Sequence, residues 1–197
     1  MKLTWTRALI VAVVAIAVVA LVTIGRVVFA VMSIPDNKPT SPQETARATQ
    51  NLLGRPSLED TEARLRSVVE QIAAAGTELV PGMQWYWNGD REMGGCDKPY
   101  DDTEGRIAYL PDYVSNTPIP DAVWSAFLER VRPIAAQMGA TAPTTMQNTH
   151  GNYEVWFSSP DDGTTIKVGS QAATVISGIV GCHLPRDKYD TTVRPTS

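Results

Sequence analysis

The chain has 197 residues, with 17 basic and 21 acidic side chains, two histidines and two cysteines. Residues 1–32 hold three of the bases (Lys2, Arg7 and Arg26) and none of the acids, leaving 14 bases against 21 acids, a net of −7, over residues 33–197. That balance excludes a basic nucleic-acid binder, whose phosphate contacts need clustered Lys and Arg. So few Cys and His also argue against a multi-ligand zinc or iron–sulfur centre.

From Ala8 to Gly25 the sequence is apolar and uncharged. At about 1.5 Å per residue this run spans roughly the hydrocarbon thickness of a bilayer. Val27–Met32 extends it if Arg26 snorkels to the headgroups. Trp5 suits the interfacial depth, and Lys2 and Arg7 before the run predict a cytoplasmic N-terminus. The expectation for residues 1–32 is a transmembrane signal anchor in a single-pass cell-membrane protein, with everything after Met32 extracytoplasmic. The run exceeds an ordinary signal-peptide core. Val28-Phe29-Ala30 nevertheless fits a small-residue cleavage pattern, so cleavage after Ala30 is the competing reading.

Residues 33–56 contain Pro35, Pro39, Pro42 and Pro56 among polar residues. They read as a flexible stalk within which Gln43–Leu53 has the length for a short helix. Residues 186–197 read as a disordered polar tail. The folded domain is expected over residues 57–185.

Within it, Ser57 and Asp60 cap a helix over Leu58–Ala75 that stops at Gly76, with Leu58, Leu65, Val68, Val69 and Ile72 on one face. Pro81-Gly82 turns into an aromatic strand MQWYWN, Gly94-Gly95-Cys96 reads as a tight turn, and Arg106–Leu110 as a second strand. A second helix over Pro120–Met138 carries Val123, Phe127, Val131, Ile134 and Met138 as its apolar stripe, with Pro133 expected to kink or split it. Tyr153, Val155 and Phe157 alternate with polar residues or Trp156. Asp161-Asp162-Gly163 supplies hairpin chemistry before Thr164–Val168, and Ala173–Cys182 reads as a central strand. The order predicts an α+β fold, with two helices packed on one face of a mostly antiparallel sheet.

Cys96 and Cys182, in an exported domain, are expected to form one disulfide. Their separation argues against a redox-active dithiol, which usually sits as Cys-x-x-Cys. His150 and His183 read as surface or strand-end residues, and no nucleophile or phosphate-binding motif is present. Asp101, Asp102 and Glu104 form one acidic loop with Tyr100, and Asp161 and Asp162 form another; both read as solvated turns, without calcium-loop spacing. Trp85 and Trp87 share one strand face and Tyr86 the other. The three are core aromatics or, if two are exposed together, a platform for a glycan or lipid.

Pro81, Gly82, Trp85, Cys96, Asp97, Lys98, Gly139, Ala140, Thr141, Gly181 and Cys182 make up a set of short motifs spread over residues 57–185. In these the chain resembles the mycobacterial lipoprotein family LppA (with LppV). The resemblance implies an actinobacterial cell-envelope protein without a known enzymatic role. Family members are anchored through a lipid-modified cysteine, whereas here no cysteine precedes Cys96. The expected function is therefore a non-catalytic, cofactor-free binding or interaction module. Its partners would be the cytoplasmic membrane, through the N-terminal helix, and an envelope protein or a glycan or lipid ligand. The alternatives are an envelope hydrolase using carboxylates such as Glu154 or Asp161, and a membrane-associated exclusion or immunity factor.

Overall fold

The computed structural model describes residues 40–190. The expected anchor, the start of the stalk and the end of the tail lie outside the described residues. Among the described residues, no helix is long and apolar enough to cross a membrane.

The short helix expected at Gln43–Leu53 is present, and it packs on the domain instead of standing in a flexible stalk. Helix α1 spans Pro42–Leu53, and Ser41 caps it with a reciprocal box: Ser41 Oγ accepts from the Glu44 N–H, and the Glu44 carboxylate accepts from the Ser41 N–H at 2.9 Å. Pro42 occupies the first turn, where its missing N–H costs nothing. Ala48 and Leu52 are buried. The composition is polar, but two apolar residues four apart suffice to seat one face.

Helix α2, Leu58–Leu79, opens on Ser57, which accepts from the Asp60 N–H at 3.1 Å. All five residues of its expected apolar face are buried. The helix runs through Gly76 rather than ending there, and Gly76 is buried against the Trp85, Ile119 and Phe127 side chains, where a Cβ would make only ordinary contacts. Helix α3, Asp121–Ala136, buries Trp124, Phe127, Val131 and Ala135. It stays one element through Pro133, which faces solvent, so the carbonyl that loses its bond is open to water.

The strands are β1 Tyr86–Asn88, β2 Glu92–Gly95, β3 Arg106–Tyr109, β4 Asp112–Ser115, β5 Ala142–Thr149, β6 Asn152–Ser158, β7 Thr165–Ser170 and β8 Thr174–His183. All pairings are antiparallel, in the order β1-β4-β8-β7-β6-β5, with β3 also on β8 and β2 on β3. Long β8 is the hub: its first half pairs with β4 and its second with β3 along one edge, while β7 holds the other. Gly94 lies in β2 rather than in a tight turn; a Cβ there would meet the Ile107 side chain at 3.1 Å.

One face of the sheet carries Ala108, Val155, Phe157, Ile166, Val168, Ile176 and Val180 against α2 and α3, forming the main core. Val175, Ser177 and Ile179 alternate with these residues and stay half-buried on the opposite face. The described residues end in α4, Asp187–Asp190, where the start of the expected tail is tied down. Arg186 pairs with Asp60 at 2.7 Å, and the Tyr189 hydroxyl donates to the Arg55 carbonyl at 2.7 Å.

Candidate functional site

Cys96 and Cys182 form the disulfide, with Sγ atoms 2.03 Å apart, tying the residue after β2 to the end of β8. With Leu52 and Leu184 they make a second, smaller buried cluster. Gly105 lies over it: a Cβ there would sit 2.7 Å from Cys182 Sγ.

A polar network surrounds this cluster. The Arg55 guanidinium donates to the Cys182 carbonyl at 2.7 Å, to the Asp161 carbonyl at 2.8 Å and to the Tyr100 hydroxyl at 3.0 Å, and it lies over the Tyr100 ring. His183 is not at the surface. It is 2% exposed, with Nδ1 2.9 Å from the Pro56 carbonyl and Nε2 2.9 Å from the Asp162 carboxylate. A carbonyl only accepts, so Nδ1 is the nitrogen that donates to Pro56, and Nε2 faces the Asp162 carboxylate. Burial alone would raise the Asp162 carboxyl. Bonds from His183, from the Thr164 N–H and from the Ser159 and Thr164 hydroxyls outweigh burial and hold it far below the usual carboxylate range. The loop carrying Asp162 presses on Gly181, where a Cβ would fall 1.9 Å from the Asp162 carbonyl oxygen. In the sequence Asp162 reads as part of a solvated turn and His183 as a surface or strand-end residue; His183 does end β8, and the topology brings the two together at a separation of 21 positions. The acidic loop is similarly tied down: Asp101 accepts from Thr40, and Glu104 pairs with Lys188 at 3.1 Å.

The aromatic trio divides by face. Trp85 and Trp87 pack beside Tyr113, at ring distances of 5.6 and 4.4 Å, against the main core. Arg66 lies 4.3 Å over the Trp87 ring, and the Trp85 indole donates to Thr77. Tyr86 points the other way, 45% exposed, with its hydroxyl on Asn116. The candidate carboxylates also lie apart. Glu154 accepts the Trp156 indole N–H at 2.6 Å in one depression, while Asp161 lines another beside the disulfide. His150 is exposed and pairs with Asp121.

What the open face does offer is a band of three troughs. One of about 230 Å³ lies among Glu154, Lys167, Gly169 and Val175. A central one of about 380 Å³ lies among Asp90, Glu92, Tyr109, Asp112 and Ile179 and shares Lys167 and Ser177 with the first. A third of about 400 Å³ runs from Ile179 to Arg55 and Cys182. No motif could announce this surface, because its residues come from separate strands and turns.

The class is thus an α+β domain with helices on one sheet face and a disulfide closing the end of its central strand. A family model described as LppA, a lipoprotein confined to pathogenic Mycobacterium, matches residues 35–186, and the chain belongs to that family. The matched region starts before α1, in keeping with α1 packing on the domain. Among solved structures, LppA from Mycobacterium tuberculosis is similar at 18% identity and a TM-score of 0.63, over 75% of this chain and 91% of that one; the two share a fold. A DUF4853-family protein from Actinomyces odontolyticus is similar at 15% identity and a TM-score of 0.45, over 72% of this chain and 78% of that one. No curated protein matches by sequence.

Proposed function

We propose that the chain is a non-catalytic binding module, held at the outer face of the cytoplasmic membrane by its N-terminal segment, that presents the open face of its sheet to an envelope partner. The observation that carries this reading is the asymmetry of the sheet: one face is sealed by α2 and α3, and the other holds the band of troughs. Membership of a lipoprotein family supports the envelope location, and the uncharged run Ala8–Gly25 takes the place of a lipidated cysteine. The groups best suited to acid–base work, Asp162 and His183, are consumed by each other and by backbone at the disulfide end, which supports binding over turnover.

Photo-crosslinkers placed at Ser177 and, as a control, at exposed Ala136 in membrane-inserted protein test the reading. Adducts should form at Ser177 and not at Ala136. Adducts only at Ala136, or hydrolysis of an envelope substrate that Glu154→Gln abolishes, would overturn it.

A further inference from the structure

We propose that the central trough of the open face docks a Lys- or Arg-bearing segment of a partner protein; this rests on the binding-module reading and names its partner's chemistry. The charge pattern follows from strand alternation. In Asn88-Gly89-Asp90-Arg91-Glu92, Arg91 turns to the helix side and pairs with Glu62 of α2 at 2.8 Å. Glu92 sits on the open-face row that runs through Tyr109 to Ile179. Asp112, across from Asn88, accepts the Ser177 hydroxyl at 2.5 Å.

Three carboxylates therefore border one trough, and among the described residues no basic side chain is within ion-pair distance of Asp90, Glu92 or Asp112. Lys167, which also lines it, holds its ammonium 4.1 Å over the Trp156 ring instead. Tyr109, 38% exposed, adds an aromatic wall. Uncompensated carboxylates beside a half-exposed phenol ring complement a guanidinium or ammonium group by ion pairing and by cation–π attraction. A metal ion is not the match, since among the described residues no three acidic, histidine or cysteine side chains converge as ligands. The trough continues past Lys167 and Ser177 into the compartment bearing Glu154, so the occupant contacts more than one side chain's length of surface. An extended protein segment fits that reach; a single free amine does not use it.

The test is fluorescence anisotropy on the full chain in detergent, with a labelled peptide of alternating lysine and alanine, its glutamate counterpart, and spermidine as competitor. The lysine peptide should bind, weaken with salt, and lose about tenfold in affinity in the variant Asp90→Asn, Glu92→Gln, Asp112→Asn. The control variant Asp101→Asn, Asp102→Asn, Glu104→Gln removes the same charge from the other loop and should bind as the parent does. Equal loss in both variants would reduce the effect to bulk charge and overturn the proposal, as would displacement by spermidine at the concentration of free peptide that displaces it. Failure of the lysine peptide to bind, with Ser177 crosslinks intact, would remove the cationic partner and leave the module reading standing.

Discussion

The main core and the cluster around Cys96–Cys182 hold the same chain by different means. Between α2, α3 and the sheet, Leu65, Val69, Ile72, Phe127, Phe157, Ile166 and Ile176 are fully buried and contiguous, so burial of apolar surface holds this region. At the disulfide end, among the described residues, the buried apolar cluster comprises Leu52, Cys96, Cys182 and Leu184. Four residues cannot supply that force. A covalent bond, the Arg55 fork and the His183–Asp162 pair take over there, each fixing a segment from a different part of the sequence: α1, the loop after β2, the β6–β7 turn and the end of β8. The small cluster, held by directed bonds, should therefore fail when it loses single members, whereas the large core should fail as a whole.

The largest expected effect comes from the disulfide. Replacing Cys96 or Cys182 with Ser frees a loop closed over a separation of 86 residues, which the chain-entropy model puts at about 4–5 kcal/mol. The single and double replacements should cost nearly the same, because each destroys one and the same bond. Urea unfolding of the three variants checks both statements, and additive costs would mean that the cysteines act separately.

In the main core, Phe127→Ala should cost about 3–5 kcal/mol, since the ring is fully buried where α3 meets α2 and the sheet. The loss should be global, lowering hydrogen-exchange protection in α2 and in β8 alike. Leu52→Ala sharpens the contrast. Its cost, about 2–3 kcal/mol, should appear as selective loss of protection in α1, with the exchange of β8 changed less. Equal loss of protection everywhere would show that the two regions unfold as one.

The same division sets what a reader of the sequence could find. The main core announces itself through periodicity: Leu58, Leu65, Val68, Val69 and Ile72 recur at helical spacing, and the run to Cys182 is apolar enough for a central strand. On α3 the expected stripe is rotated from the buried one, since Trp124 is buried while Val123 and Ile134 are only half-buried. Strand β5 is exposed along its whole length and has no alternation to detect. Helix α1 is legible as a short helix, but its polar, proline-flanked composition conceals both the Ser41–Glu44 capping box and its packing on the domain through Ala48 and Leu52. The paired cysteines are legible from their number and from the expected export. The His183–Asp162 contact is not, because nothing local in either residue's surroundings points to the other.

The smallest effect tests that contact and depends on pH. Asp162→Asn keeps the shape of the side chain and removes its charge, so near neutral pH it should cost about 1–3 kcal/mol, the scale for a compromised buried hydrogen bond. The sign of the pH dependence follows from the carboxyl. Burial alone would raise it, but bonds from His183, Thr164 and Ser159 outweigh burial and hold it, in the folded chain, far below its unfolded value of about 3.9. Its contribution is therefore full above about pH 5 and is lost as pH falls through the unfolded value towards the folded one. The amide oxygen introduced by the substitution can still accept a hydrogen bond from the ring, so the titrating carboxyl is what differs between the two proteins. Asp60, which the Ser57 hydroxyl also holds below its usual range, contributes equally to both. Unfolding midpoints measured from about pH 5 downwards should thus fall more steeply for the parent than for Asp162→Asn, and the two curves should converge in acid. Parallel curves would mean that Asp162 gains nothing from His183 in the folded state, and would leave the disulfide and Arg55 as the ties that hold this end of the molecule.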